Sequence, residues 1–102
     1  MIDWTRISDL KAEIGPDDFD EVIAMFMDEV DETIAKLQSA PHPRSLEEDL
    51  HFIRSAALNI GFADLARACQ EGESAAAARQ EVDLAGLFAL YHASRAAFAN
   101  LP

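Results

Sequence analysis

Residues 50–61, Leu-His-Phe-Ile-Arg-Ser-Ala-Ala-Leu-Asn-Ile-Gly, hold the side chains of this sequence best suited to chemistry. Around them Leu46, Leu50, Ile53, Ala57 and Ile60 recur at steps of three or four, the spacing of one buried helix face. With about 100° between successive residues, His51 points roughly 140–170° away from that face, into solvent. Arg54 and Ser55, at i+3 and i+4, share the side of the histidine, and Leu58 lies two turns on. A solvent-facing imidazole is largely neutral at pH 7, so one ring nitrogen keeps a lone pair that can attack an electrophile. The small run Ser55-Ala56-Ala57 leaves room for a second protein to bring a reacting group close. A guanidinium one turn away can hold phosphoryl oxygens by charge-assisted hydrogen bonds. A lone surface histidine usually has no role; these neighbours distinguish His51.

Other chemistry has little to stand on. No CxxC, HxxxH or HExxH spacing occurs, and Cys69 with three scattered histidines has no metal-ligand pattern. The four glycines build no phosphate loop. His42, between two prolines, reads as loop filler, and His92 as a surface residue. The paired acids Asp28-Glu29 and Asp31-Glu32 fall on the polar side of their helix and read as solvated, and there is no ExxH pair of the di-iron type. Cys69 reads as core packing.

Composition narrows the class. The chain has 102 residues, enough for one core, with 50% hydrophobic and 26% charged residues. Eight Lys+Arg against 19 Asp+Glu give a net charge of −11, which argues against nucleic-acid partners and against docking on anionic lipid. The excess is uneven. Residues 1–50 carry 14 acids and 4 bases, residues 51–102 carry 5 acids and 4 bases. The acidic half reads as a solvated helix face that can also select a partner with a complementary patch. One cysteine excludes an internal disulfide and suits a reducing compartment. Neither a secretory signal nor an apolar run of membrane-spanning length is present, so a cytoplasmic protein without membrane association is expected.

The elements that must position His51 are helical. Nineteen alanines, few β-branched runs and no bounded period-2 segment exclude a sheet. A short helix is expected over 3–13, with Asp3 as cap, Ile7 and Leu10 inward and Trp4 plugging the bundle end. Gly15-Pro16 breaks it. Phe19, Val22, Ile23, Phe26, Val30, Ile34 and Leu37 then mark a helix of about 22 residues. After Pro41-His42-Pro43, Ser45 and Glu48 read as a capping box for the helix that carries His51, and Gly61 as its C′ glycine. A helix over 63–78 turns Leu65, Cys69 and Ala76 inward; Asp83 caps a last one, with Leu84, Leu87, Phe88, Tyr91 and Phe98 facing the core. Short connections make these antiparallel neighbours. The expected fold is all-α: an up-down-up-down four-helix bundle, residues 1–102 as one stand-alone domain, with the short first helix across one end.

The segment from His51 to Gly61 resembles the motif of histidine-containing phosphotransfer (HPt) domains, roughly His-x-x-Lys-Gly-small-small-x-x-apolar-Gly. His51 matches the phosphoacceptor, Arg54 the lysine, Ala56 and Ala57 the small pair, Ile60 the apolar site and Gly61 the final glycine. The likeness runs through nearly the whole chain, including Phe26 and Leu37 in the first long helix and Phe62 to Cys69 opening the third. It implies a phosphocarrier rather than an enzyme. His51 would accept a phosphoryl group from a receiver-domain phospho-aspartate and pass it to another receiver, belonging to a response regulator or a hybrid histidine kinase. Arg54 would steady the phosphoryl group, and Glu73, at the family's Gln/Glu position, would orient the ring. Ser55 and Leu58 would belong to the docking patch. No cofactor is implied in this chain, Mg²⁺ being expected in the partner receiver, and a monomer is expected.

Three departures stand out. Arg54 replaces lysine but keeps the charge, and Ser55 replaces a glycine and narrows the approach to His51. Gly72 falls where the Leu65/Cys69/Ala76 stripe calls for an apolar side chain, so a locally weakened helix is expected. The alternative to phosphotransfer is a binding module of the same fold that sequesters or scaffolds a response regulator.

Overall fold

The steps between Phe19, Ile23, Met27, Val30, Ile34 and Leu37 average 3.6 residues, and in the computed structural model these six form the buried seam of the longest helix. The structure describes residues 2–39 and 43–99. Its helices are α1 (Trp4–Ile14), α2 (Pro16–Ser39), α3 (Pro43–Asn59), α4 (Ala63–Ala77) and α5 (Leu84–Ala99). Helices α2 to α5 make the up-down-up-down bundle, 42 Å in its long dimension, and α1 is the additional N-terminal helix. Val22 and Phe26, expected in the seam, flank it half-buried, and Met27 takes the inward position.

Helix ends follow from local chemistry, with two differences from expectation. Asp3 caps α1 by accepting from the Arg6 N–H at 3.1 Å, and Ile7 and Leu10 are buried. Trp4 does not plug the bundle end. It is 47% exposed, while Ile2 packs against the core. The helix α3 begins at Pro43, so Ser45 lies inside its first turn rather than at the cap of a capping box. Proline suits that place, since its φ is already helical and the N–H it lacks would have no helical partner. His42 falls outside the described residues. Asp83 caps α5 as expected, accepting from the Gly86 N–H at 2.9 Å.

Helix α3 closes with Gly61 at φ +79°, and the Phe62 N–H reaches back to the Ala57 carbonyl at 2.8 Å. That bond spans the last turn as a Schellman closure requires. The same glycine receives α1: the Asp3 N–H donates to the Gly61 carbonyl at 2.6 Å, and a Cβ there would lie 2.8 Å from the Asp3 carbonyl oxygen. Across the bundle, Asp31 is only partly exposed and does more than meet solvent. It accepts from the Tyr91 hydroxyl and from Arg95 at 2.5 Å, tying α2 to α5.

Gly72 also differs from expectation, in the opposite direction. Helix α4 runs through it unbroken, and a Cβ at this position would lie 3.0 Å from Leu50 Cδ1 and 3.3 Å from Val82 Cγ1. The stripe has no gap to fill, because Leu50, fully buried, already occupies the space. Overpacking a close-packed site costs about 1–3 kcal/mol, whereas replacing a helical glycine returns at most ~1 kcal/mol of propensity. Gly72→Leu should therefore lose about 1–2 kcal/mol in urea unfolding. A midpoint equal to or above that of the parent would show that the stripe did lack a side chain there.

Candidate functional site

Leu50 is wholly buried on α3, and the next residue, His51, emerges from the bundle with its side chain 61% exposed. One turn on, Arg54 turns back toward the ring, its Nη2 2.9 Å from His51 Nδ1. Helix α4 supplies a third group. Glu73 Oε1 lies 3.4 Å from the same ring nitrogen and 3.3 Å from Arg54 Nε. The Glu73 side chain is 15% exposed, and Oε1 itself is shielded from solvent without a well-aligned hydrogen bond. A buried carboxylate oxygen left in that condition attracts donors strongly, and the two nearest are the guanidinium and the ring. His51, Arg54 and Glu73, read separately from the sequence, are thus brought together.

The surroundings of His51 are divided by charge. On one side a hollow of about 370 Å³ is lined by Glu47, Glu48, His51 and Glu73. On the other a groove of about 230 Å³ runs between α3 and α4, lined by Arg54, Leu58, Ala63, Ala66, Arg67 and Gln70. Leu58 is 58% exposed, and Ser55 is exposed beside it. Phe52, 39% exposed, adds apolar surface next to the histidine. Sequence reading gave Glu47, Phe52 and Arg67 no part in the site and assigned Glu48 only to a capping box. Glu47 and Glu48 stand at i−4 and i−3 from His51, so the spacing that singled out Arg54 and Ser55 would have found them if applied toward the N-terminus. A larger cleft between α4 and α5, about 510 Å³, carries the carboxylates Glu71, Glu81 and Asp83 but no nucleophile.

Comparison with protein families matches residues 21–100 to the Hpt domain. The chain belongs to that family. No curated protein and no solved structure gives a significant match. Hpt domains are phosphocarrier modules of two-component phosphorelays, not catalysts, and they interact with receiver domains. The matched segment opens inside α2, so α1 precedes it. Among the described residues no helix is long and apolar enough to cross a membrane.

Cys69 lies buried in the core on α4, one turn before Glu73. Burial pushes its thiol from 9.0 to about 12, the Glu73 charge adding to the rise and Arg54 opposing it. Tyr91 is likewise raised from 10.0 to about 12, first by burial and then by the hydrogen bond to and charge of Asp31, with Arg95 opposing. Both groups hold their protons more tightly folded than unfolded. Their contribution is therefore complete below the unfolded values and lost as pH rises through the folded ones. The urea midpoint should stay level to about pH 8.5 and fall between about 9 and 12. At pH 8 a thiol reagent should label Cys69 no faster than the chain unfolds; immediate labelling would contradict the burial.

Proposed function

We propose that this chain is a phosphorelay intermediate, in which His51 accepts a phosphoryl group from the phospho-aspartate of one receiver domain and hands it to another. The observation that carries the reading is an exposed histidine on α3 whose inner ring nitrogen faces a buried carboxylate on the neighbouring helix. A ring bonded to Glu73 through Nδ1–H leaves the lone pair of Nε2 directed outward. That lone pair attacks phosphorus in line, the N–P bond forms, the P–O bond of the acyl phosphate breaks, and the aspartate leaves as a carboxylate. The ring becomes a cation beside Glu73, and return transfer reverses these steps. Arg54 steadies the phosphoryl oxygens. Mg²⁺ belongs to the receiver, which supplies the aspartate and the charge neutralisation.

Leu58, Ser55 and the groove below Arg54 form the docking patch in this reading. An apolar centre rimmed by charge is the usual make-up of such a contact. Ser55, where the family has glycine, supports the second reading, a module that binds a receiver without accepting the phosphoryl group.

Phosphotransfer from a panel of labelled receiver domains separates the two. Acid-labile, alkali-stable label should appear on the parent protein and be absent from His51→Gln. Label on both proteins would place the acceptor elsewhere, and receiver binding without any label would favour the sequestering module. Leu58→Glu should weaken receiver binding about tenfold or more while leaving the unfolding midpoint within ~0.5 kcal/mol of the parent.

A further inference from the structure

Two groups of opposite hydrogen-bonding character compete for one atom. Arg54 can only donate, and its Nη2 stands 2.9 Å from His51 Nδ1. Ionised Glu73 can only accept, and its Oε1 stands 3.4 Å from the same nitrogen. The Arg54 contact requires a bare Nδ1, which in a neutral imidazole puts the proton on Nε2. With that proton in place, Nε2 has no lone pair to offer. The Glu73 contact requires the reverse, Nδ1–H and a bare Nε2. Among the described residues Nε2 has no partner that would decide the matter, and the shorter contact is the arginine's.

We infer that Arg54 holds the free protein in the tautomer that cannot attack through Nε2, and that the arriving phosphoryl group itself releases the ring to Glu73. This rests on the phosphotransfer reading and adds a resting state to it. Phosphoryl oxygens are stronger acceptors for a guanidinium than a neutral ring nitrogen, so they draw Arg54 off Nδ1. The proton on Nε2 then leaves to water and another binds at Nδ1, where Glu73 accepts its hydrogen bond. Charge is unchanged and the Nε2 lone pair is freed. Attack follows only when the phosphoryl group is already held. Arg54 is therefore both the clamp on the phosphoryl group and the restraint on the ring, and Glu73 is a positioning residue whose effect waits on Arg54. The carboxylates Glu47 and Glu48, facing the ring from its own helix, favour no one tautomer through a contact of their own.

Two-bond proton–nitrogen correlation spectra of the full chain, labelled with ¹⁵N-histidine and recorded at pH 8.5, read the tautomer directly. The His51 signals are assigned by their loss in His51→Gln. The Nε2–H form should predominate in the parent, and Arg54→Ala should shift the tautomer ratio toward Nδ1–H by about tenfold or more. In the double variant with Glu73→Ala the ratio should return toward Nε2–H. A parent ring in the Nδ1–H form overturns the inference, and this result does not depend on any variant folding. An unchanged ratio in Arg54→Ala, with the backbone spectrum showing a folded bundle, overturns it too. No receiver takes part in these spectra. Absence of label on His51 would therefore sink the phosphotransfer reading by itself, and a wrong tautomer would sink only the restraint.

Discussion

A buried leucine meets a glycine, and the histidine–carboxylate distance follows from that contact. Leu50 fills the space that a side chain at Gly72 would need, so α4 lies close against α3 at this level of the bundle. The next residue on each helix is the pair His51 and Glu73. Packing in the core, where a misfit of one methylene is felt, therefore sets the separation of two polar groups at the surface. The carboxylate gains from it a position that is mostly dry yet within reach of the ring and the guanidinium. Cys69, one turn away and also buried, keeps that wall apolar.

Electrostatics works against the proposed reaction at long range and for it at short range. An incoming phosphoryl group is an anion approaching a chain of net charge −11. Screening at physiological salt confines the field of each exposed acid to about 8 Å. Arg54 meets the ring directly and shares its groove with Arg67, while Glu47, Glu48 and Glu73 line the hollow that holds His51. A receiver thus meets a surface of two signs rather than a uniformly acidic one, which favours one orientation of docking over its reverse. In the proposed relay, the acidic excess of α2 would act as a broad filter on which partners approach at all.

Much of this was legible in the sequence because it depends on local rules. Helix periodicity located all five helices, the wheel of α3 sent His51 outward, and Asp3, Asp83 and Gly61 were recognisable caps. What depends on distant contacts was not. Gly72 looks like a defect in a stripe until Leu50 is seen in its place. Asp31 looks solvated until Tyr91 and Arg95, sixty residues away, are seen to hold it. The start of α3 at Pro43 went unseen because a Ser-x-x-Glu pattern two residues later satisfies the same rule. Glu73 came from family likeness alone, since spacing along one helix says nothing about which residue of another will face it.

In the proposed transfer, phosphorus becomes bonded to the outer nitrogen of His51 while the inner one keeps a proton toward Glu73. Phosphorus–nitrogen correlation on ¹⁵N-histidine-labelled protein, phosphorylated by a receiver domain, reads that bond. Coupling of phosphorus to Nε2 of His51, with Nδ1 protonated, is the expected result. Coupling to Nδ1, or to any nitrogen outside His51, would contradict it.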